Sequence, residues 1–475
     1  MIDNNSKNGF SVKFLSLQIQ NFGCIKKGSF SMEKDNYTPQ NLMGIYGQNG
    51  SGKSTLIRTF AFLRLLFCGT GIDDAGSYVR VGEDFASLKA DFSIANKQIK
   101  KIFSYYVRIR LFRKQNRWII EEENAYLSDA NNQKNKLSFC YDSTNSTNPI
   151  TPINLKNNLI SFIEKNLDFT EEVPSQLFFI MQKEWSRFYK TSYIFGEHLL
   201  SLYDSYTEQS EESILDYLKI FNDYAKNYFF VITDNFINGG LVNAKTIPVI
   251  LPNQKVFSNG AINYFSLNID GPTKALEPKE GSFDEFINKF NDIIISLCPE
   301  TKLSFKKILG IKDSINSDPN MLENYYEVFT IKDNLEVPIK YESLGIKKII
   351  SLVNILIFAY GNPSVLLVID ELDSSINELV LDVFLKVFSE NGSGQIIFTA
   401  NNLHPLEILD KAECCFSTTN SSNRFVHLKY VKPNNNLRSL YISLAKQGGN
   451  NKNENLFIPL SEENMKSIFE KTLKN

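Results

Sequence analysis

The chain has 475 residues and a balanced charge, with 51 Lys and Arg against 53 Asp and Glu. With 43% hydrophobic and 22% charged residues, its composition is that of a globular protein and excludes a disordered or low-complexity chain. The formal net charge of −2 argues against a protein coated with basic residues for non-specific phosphate binding, but it leaves room for a local basic patch. The length predicts about two or three structural units of roughly 150 residues each.

Three features bear on the compartment of the protein. The opening residues 1–6 are polar and lack the apolar core of a signal peptide, which predicts a cytoplasmic protein. Six scattered cysteines without a C-x-x-C pair, and only three histidines, indicate reduced thiols rather than a metal site. The apolar stretch 349–369 approaches the ~20 residues of a membrane span. Because Gly361-Asn362-Pro363-Ser364 interrupts it, we expect a buried helix followed by a buried strand, and no membrane association.

The N-terminal part begins with strands and leads into a helix. Residues 12–19 alternate in the period-two pattern of a half-buried strand, and a turn at Asn21-Phe22-Gly23 leads to a second strand at 28–32. Residues 42–46 form a short apolar strand that enters a glycine-rich turn. Residues 54–67 contain no Gly or Pro and carry apolar residues at helical spacing. The pattern predicts a strand, a phosphate-type loop and a helix.

The following segments predict strands and then helices. Strands are expected at 90–94, 103–112 and 118–120, with a hairpin turn at 115–117. Residues 129–152 are rich in Asn and Ser and predict an exposed loop. Residues 155–228 read as mostly helical.

The second half alternates between helices and strands. Helices are expected at 283–297 and 344–360, and strands at 303–311, 325–331, 365–369 and 395–399. No internal repeat or Pro/Gly linker separates independent domains. We therefore expect one core in two halves, residues 1–150 and 301–475, separated by a mostly helical insertion at 151–300.

The strongest motif is a phosphate-binding loop that satisfies G-x-x-x-x-G-K-[ST] between the predicted strand and helix. It comprises Gly47, Gln48, Asn49, Gly50, Ser51, Gly52, Lys53, Ser54 and Thr55. The glycines let backbone N–H groups surround phosphate oxygens at a helix N-terminus. Lys53 is expected to neutralise the β- and γ-phosphates, and the Ser54 hydroxyl to bind Mg²⁺.

A second motif is a pair of acidic residues after an apolar strand. Residues 365–369 predict a strand buried on both faces, and Asp370 and Glu371 follow it. On their own, these two residues are explained at least as well as two solvated acids at the end of a strand. Together with the phosphate loop they predict that Asp370 holds Mg²⁺ and that Glu371 orients or deprotonates the attacking water.

A third motif precedes the long apolar helix. Ser343 is a good N-cap residue, and Gly345 permits the close approach of another chain. A helix N-terminus with a free hydroxyl and Lys347 or Lys348 nearby favours anion binding. In isolation, an ordinary capped helix explains these residues as well.

The order of these motifs resembles the ABC-type ATPase heads of the SMC, RecF and OLD families. Residues 372–375, Leu-Asp-Ser-Ser, are similar to the D-loop of these families, and residues 398–402 occupy the place of their switch-histidine strand. Residues 17–23 match the first strand and turn, so that the resemblance runs from residue 14 to residue 402. It implies an α/β P-loop NTPase fold with a mixed sheet of the ABC-ATPase type, an antiparallel β subdomain and a helical insertion.

The resemblance also implies how such a head works. Two heads form a dimer, or a higher even oligomer, that sandwiches ATP between the phosphate loop of one protomer and Ser343 and Gly345 of the other, with Asp373 at the interface. Asn401 stands where the families have the switch histidine; an amide hydrogen-bonds but carries no charge, so we expect slow hydrolysis. Gln176 and Gln182 are weak candidates for the Q-loop glutamine. His404 is expected in a turn or at the entry of a helix.

The Ser-Leu-Gly-Ile-Lys form of the third motif resembles bacterial overcoming-lysogenisation and abortive-infection ATPases, which points to phage defence. About a hundred residues follow Glu371, without a clustered acidic nuclease motif or room for the Toprim domain of OLD nucleases. The resemblance to PARIS, Septu and related systems therefore implies a separate effector protein, for example a nuclease. An ATP subunit of a transporter fits poorly, since phosphate loop and acidic pair lie too far apart.

The alternative is a RecF-like DNA-repair ATPase, favoured by a basic hairpin with interleaved aromatic residues. Its members are Lys97, Lys100, Lys101, Tyr105, Tyr106, Arg108, Arg110, Phe112, Arg113, Lys114 and Arg117. Such a strip binds a phosphate backbone and stacks bases. A solvated sheet face whose aromatic residues point into the core explains the same pattern.

Overall fold

The structure is a computed structural model, and its described residues cover both halves of the chain. They are residues 10–34, 38–72, 75–96, 100–115, 117–130, 136–144, 150–151, 159–161, 176–206, 213–233, 246–250, 264–268, 271, 273–278, 282–308, 321–427, 436–447, 450–451, 454–455, 457–458, 465–466, 469–470 and 472.

The elements of the N-terminal part, in chain order, are β1 Ser11–Phe22, β2 Ile25–Ser31, β3 Leu42–Gly47, α1 Lys53–Cys68, β4 Phe85–Ala95, β5 Lys100–Phe112, β6 Arg117–Asp129, β7 Lys136–Asp142 and β8 Ile150–Thr151. Those of the middle part are α2 Gln176–Tyr189, α3 Glu197–Tyr206, α4 Ile214–Asn227, β9 Phe229–Ile232, β10 Thr246–Ile250, β11 Tyr264–Asn268, β12 Thr273–Pro278 and α5 Ser282–Leu297.

The C-terminal part continues with β13 Lys302–Ile308, β14 Met321–Lys332, β15 Leu335–Pro338, α6 Leu344–Gly361, β16 Leu366–Ile369, α7 Glu378–Asn391, β17 Gln395–Thr399, β18 Cys414–Ser417, β19 Phe425–Val426, α8 Leu437–Gln447, β20 Asn450–Asn451 and β21 Glu454–Asn455. One-turn 3₁₀ helices lie at Ala75–Tyr78, Arg113–Gln115, Ile339–Tyr341, His404–Glu407 and Lys411–Glu413.

Two sheets enclose α1. The first is an antiparallel sheet of seven strands in the order β2-β1-β4-β5-β6-β7-β8. The second has six strands in the order β19-β18-β3-β17-β16-β9, and its five members other than β19 run parallel. Phe60 of α1 meets Phe14 of β1 at 5.1 Å and Phe229 of β9 at 6.3 Å, measured between ring centroids. The helix is thus buried on nearly every side.

The parallel sheet explains the apolar runs in the sequence. β16 and β17 are buried along their whole length, as strands of a parallel sheet covered on both faces must be. A further antiparallel group, β12-β14-β13 with β15 paired to β14, packs beside α5 and α6 through Phe290, Leu303 and Ile350. The fold is an α/β P-loop NTPase fold with a mixed sheet and an antiparallel β subdomain, as the sequence predicts.

The apolar helix of the second half is a core helix. By length and composition α6 is able to cross a membrane, but 56% of its 18-residue window is buried inside the protein. The helix ends before Asn362, and β16 follows it. This confirms the prediction of a buried helix followed by a buried strand.

Two local predictions differ from the structure. The predicted loop at 129–152 is wrong, because β7 and β8 add two strands to the antiparallel sheet. Phe139 and Tyr141 of β7 are buried and alternate with polar residues, a short strand pattern hidden by its Asn- and Ser-rich flanks. The segment 151–300 contains α2 to α5, but also β9, which extends the parallel sheet beside β16.

A buried carboxylate fastens the antiparallel sheet to the segment after α2. Glu123 of β6 is completely buried and accepts hydrogen bonds from the Tyr105 hydroxyl at 2.5 Å, the Ser192 hydroxyl, and the N–H groups of Tyr193 at 2.8 Å and Ile194 at 3.3 Å. Burial raises the pKa of Glu123, although these hydrogen bonds oppose the shift. The segment it holds lies against Gly69, at the C-terminal end of α1.

We predict that Glu123→Ala lowers the free energy of unfolding by about 3 kcal/mol, because it leaves several buried donors without an acceptor. Chemical denaturation followed by circular dichroism measures the change. The neighbouring Glu122→Ala is the control: its side chain is 37% exposed and reaches Arg108 only at 3.9 Å, so a loss below about 1 kcal/mol is expected. Equal losses in the two variants would refute a special function of Glu123 in stability.

Candidate nucleotide-binding site

The loop between β3 and α1 has the geometry of a phosphate-binding loop. Gly50 and Gly52 take positive φ angles of 78° and 99°, which favour glycine. Gly52 is the N-cap of α1 and supplies no side-chain hydrogen bond to it. Lys53 Nζ donates to the carbonyl of Gly47 at 2.7 Å, across the mouth of the loop. The first N–H groups of α1 thus face the same space as a lysine.

The electrostatic surroundings of Lys53 suit an anionic ligand. The side chain is 8% exposed, and burial lowers its pKa. The carboxylates of Asp370, Glu371 and Asp373 oppose this shift because their charges stabilise the ammonium group. These three acids therefore lie within electrostatic reach of the phosphate loop.

One cavity, of about 380 Å³, joins the phosphate loop to the acidic strand end. Its lining residues are Cys24, Gln48, Asn49, Gly50, Gly52, Lys53, Ser54, Thr55, Glu371 and Asn401. The three residues predicted to be catalytic, Lys53, Glu371 and Asn401, all line it. The structure thus brings together groups that lie more than 300 positions apart in the chain.

The acidic pair is fixed by a threonine of the adjacent strand. Thr399 Oγ1, at the end of β17, donates to Asp370 Oδ1 at 2.5 Å and accepts the N–H of Glu371 at 2.7 Å. Glu371 has a positive φ of 50°, a left-handed conformation that non-glycine residues rarely adopt. The sequence reasoning missed Thr399; its signal is a buried hydroxyl at the end of an apolar strand beside β16.

Glu371 and Asp373 both contact Asn401, the residue that stands at the predicted switch position. Asn401 Nδ2 lies 3.4 Å from Glu371 Oε1, within reach of a weak hydrogen bond. Asp373 Oδ2 accepts the N–H groups of Asn401 at 2.9 Å and Asn402 at 2.6 Å. Asp373 does not line the cavity. Its carboxylate instead positions the backbone of residues 401 and 402 of its own chain.

The third motif lies outside this cavity. Ser343 caps α6, and its hydroxyl accepts the N–H of Ile346 at 3.3 Å. Neither Ser343 nor Gly345 lines the cavity, and the neighbouring Leu344 is 72% exposed. A Cβ on Gly345 would lie 2.3 Å from the carbonyl oxygen of Ser375. Gly345 therefore permits a close approach of Ser375 of its own chain, in the segment 372–375 that resembles a D-loop. The sequence predicted a close approach of another chain instead.

The two lysines of α6 each donate a hydrogen bond to a backbone carbonyl of their own chain. Lys347 Nζ donates to the carbonyl of Lys340 at 2.5 Å. Lys348 is 7% exposed, and its Nζ donates to the carbonyl of Glu371. Both ammonium groups are thus engaged by backbone oxygens. Lys348 instead joins the helix that follows Ser343 to the backbone of the predicted catalytic acid.

We predict that Lys348→Met lowers kcat for ATP hydrolysis about tenfold and changes KM little. The variant keeps most of the buried volume but releases the backbone of Glu371, so the attacking water is less well oriented. Steady-state kinetics measure the split, and Lys386→Met, on the exposed face of α7, is the control. An unchanged kcat would show that Lys348 does not position Glu371.

Several basic residues of the hairpin contact other groups of the protein. Arg108 and Arg110 each place Nε near the carboxylate of Glu121, at 2.9 and 2.5 Å. Arg113 donates to the carbonyls of Arg80 and Glu83. Lys101 is buried over the ring of Tyr217. These contacts favour the sheet-face interpretation over a free phosphate-binding strip.

The remaining members of that hairpin divide between core and surface. Tyr105 is buried in the core, whereas Phe112 is 40% exposed and Lys100, Lys114 and Arg117 are exposed. Lys97 lies outside the described residues.

The other sequence candidates are settled by their surroundings. Gln182 is buried and donates to the carbonyl of Tyr193 at 3.1 Å; it does not line the cavity, so its prediction as the Q-loop residue is wrong. The side chain of Gln176 lies outside the described part of the structure. His404 begins a 3₁₀ helix, as predicted, and its Nε2 lies 2.8 Å from Asp382 Oδ2.

The donor set at the cavity fits Mg²⁺ bound together with a phosphate. Ser54 lines the cavity with a hydroxyl. Asp370 is not among the lining residues, but it directly precedes Glu371, which does line the cavity, and its carboxylate is held by the hydroxyl of Thr399. Among the residues that the structure describes, no group of three or more His, Cys, Asp or Glu residues is arranged to hold a metal alone. Oxygen donors in small number are typical of Mg²⁺ that keeps substrate phosphates and water as ligands.

Comparison with known proteins agrees with this geometry. A family model described as an AAA domain matches residues 16–241, just under half of the chain and including β1, the phosphate loop and β9. No curated protein matches the sequence.

Three solved structures are similar to the chain. The Smc head bound to the C-winged helix domain of ScpA has 12% identity and a TM-score of 0.39, and the match covers 88% of this chain and 98% of that one. RecF with ATP has 13% identity and a TM-score of 0.35, and the match covers 86% of this chain and 95% of that one. The Smc head with an extended coiled coil bound to the C-terminal domain of ScpA, from Pyrococcus furiosus, has 14% identity and a TM-score of 0.39. This match covers 88% of this chain and 96% of that one.

Proposed function

We propose that this protein binds ATP with Mg²⁺ and hydrolyses it slowly, as the ATPase subunit of a bacterial anti-phage defence system. The observation that carries the ATPase part is that Lys53, Glu371 and Asn401 line the same cavity. In this proposal the protein acts in the cytoplasm as a nucleotide-gated sensor or scaffold for a separate effector protein, such as a nuclease.

Each side chain of the cavity then has a chemical task. The loop N–H groups and Lys53 hold the β- and γ-phosphates, and Glu371 orients the attacking water and accepts its proton. Asn401 hydrogen-bonds near the γ-phosphate but adds no positive charge, which supports slow turnover. Ser54 and Asp370 hold Mg²⁺, which when bound neutralises the charge that develops on the phosphate oxygens.

The exposed start of α6 supports a homodimer or a higher even oligomer. Ser343 lies at a helix N-terminus outside the cavity of its own chain, where the helix dipole favours an anion. In the proposed dimer, Ser343 and Gly345 of one protomer cover the nucleotide bound by the other, and Asp373 lies at the interface. ATP then stabilises the closed dimer only while its γ-phosphate is present.

We predict that Lys53→Ala weakens ATP binding about 10- to 100-fold, because a charge-assisted hydrogen bond to phosphate is lost. Isothermal titration calorimetry with a non-hydrolysable analogue measures the affinity, and nucleotide-dependent assembly is expected to disappear with it. Lys386→Met, on an exposed helix face, serves as the matched loss of a positive charge. Unchanged affinity and assembly in Lys53→Ala would defeat the assignment of the phosphate loop.

We predict that Glu371→Gln slows hydrolysis about 10²- to 10⁴-fold while ATP still binds, so that closed dimers accumulate. The amide keeps the size of the side chain and removes its capacity to accept a proton. Light scattering coupled to size-exclusion chromatography, with and without ATP, gives the mass. Hydrolysis at the parental rate would show that Glu371 has a different function.

The defence assignment is supported by the form of the third motif, Ser343-Leu344-Gly345-Ile346-Lys347, which resembles abortive-infection ATPases. The RecF-like repair ATPase is the second candidate. Its main support was the basic hairpin, and the ion pairs of Arg108 and Arg110 with Glu121 weaken it. The exposed basic residues of the hairpin, Lys100, Lys114 and Arg117 together with Arg113, leave nucleic acid as a ligand to be tested.

One purification separates the two candidates. Tagged Glu371→Gln protein is expressed beside its genomic neighbours and recovered with ATP, with and without nuclease treatment. A stoichiometric protein partner that resists nuclease and is lost without ATP supports the effector scaffold and identifies its chemistry. Recovery of nucleic acid alone supports the repair ATPase and contradicts the defence proposal.

A further inference from the structure

The phosphate loop is tied to the C-terminal tail by a two-way hydrogen-bonded pair. Gln48 Nε2 donates to the carbonyl of Ile458 at 2.7 Å, and the N–H of Ile458 donates to Gln48 Oε1 at 2.9 Å. The side-chain amide of Gln48 therefore satisfies both backbone groups of one tail residue. Gln48 also lines the nucleotide cavity, so the pair lies at its rim.

The tail is anchored immediately before this pair. Phe457 is 1% exposed and packs edge-to-face on Tyr441 of α8, with ring centroids 5.5 Å apart. Tyr441 stacks on Phe416 of β18 at 5.4 Å. Phe416 pairs with Tyr46 of β3, the strand that leads into the phosphate loop. The position of Ile458 is thus fixed relative to the loop through a chain of aromatic contacts.

A second fastening joins the same loop to β18. Ser51 Oγ lies 2.5 Å from Ser417 Oγ, and both groups are buried. The C-terminal part of the chain therefore holds the loop at two residues, one inside the fold and one at the cavity rim. The outer contact, between Gln48 and Ile458, is the more exposed of the two.

We propose that Phe457 and Ile458 form a strap that positions the phosphate loop for nucleotide, so that ATP affinity depends on the tail. The proposal rests on the proposed ATPase function and extends it to residues outside the known motif. A loop held in its binding conformation loses less conformational freedom when phosphate binds, which strengthens binding. Whatever displaces the tail then weakens ATP binding, and by linkage ATP binding holds the tail in place.

The sharpest test changes the backbone of one residue. Ile458→Pro removes the N–H that donates to Gln48, whereas Ile458→Ala keeps it and serves as the matched control. We expect ATP affinity about three- to tenfold weaker in Ile458→Pro than in Ile458→Ala. We also expect an unchanged kcat at saturating ATP, because the reacting groups are not altered. Equal affinities in the two variants, with similar melting temperatures, would overturn the proposal.

A double-mutant cycle shows whether the two residues act as a pair. Gln48→Ala removes the other side of the contact, and the combination with Ile458→Pro is expected to bind ATP no more weakly than Gln48→Ala alone. Losses that simply add would show that Ile458 acts independently of Gln48, and would overturn the strap.

Hydrogen exchange measures the reciprocal effect. ATP is expected to slow exchange of the Ile458 amide in the wild type and to leave it unchanged in Lys53→Ala. If the wild type binds no ATP, the proposed function and the strap fail together. If the wild type binds ATP and Lys53→Ala does not, but ATP leaves Ile458 exchange unchanged and Ile458→Pro equals Ile458→Ala, the strap alone fails.

Discussion

The arrangement of the two acidic residues at the candidate site depends on the hydroxyl of Thr399. This hydroxyl donates to Asp370 and accepts the N–H of Glu371, and so fixes both acids relative to β17. The left-handed backbone of Glu371 persists because its N–H is held by Thr399 and its carbonyl by Lys348. Without these contacts, the backbone of Glu371 would not be held in the conformation that places its side chain at the cavity of the phosphate loop.

The surrounding fold serves to keep that arrangement rigid. Parallel strands β3, β16 and β17 end at the same edge of the sheet, which places the phosphate loop, the acidic pair and the switch position side by side. α1 is clamped between two sheets by aromatic packing, and the buried Glu123 fastens the segment that lies against its C-terminal end. Ser343 and Gly345 lie outside the cavity, and Gly345 lies against the carbonyl oxygen of Ser375.

Local spacing made part of this site predictable. The phosphate loop and the pair Asp370 and Glu371 are contiguous motifs, and their chemistry follows from residue types at fixed offsets. Thr399 and Lys348 act through contacts between distant segments, which periodicity does not reveal. The same limit applies to the α6 lysines, whose contacts with backbone oxygens no local pattern predicts, and to Gln182, which is buried and donates to the carbonyl of Tyr193.

β7 and β9 were missed for a different reason, since short strands with weak or purely apolar patterns gain their identity from the sheet that they join. The basic hairpin shows the same effect for charge. Arg108 and Arg110 share the carboxylate of Glu121 on the neighbouring strand β6, so composition alone overstated the availability of these two arginines to nucleic acid.

In the proposed dimer, the ATP site is completed by two chains, with the phosphate loop from one and the start of α6 from the other. Mixing Lys53→Ala with Ser343→Arg tests it directly, because only a mixed dimer contains one intact composite site. We expect that each variant alone is inactive and that the mixture regains part of the wild-type hydrolysis. A mixture as inactive as its components, or full activity of Ser343→Arg alone, would contradict it.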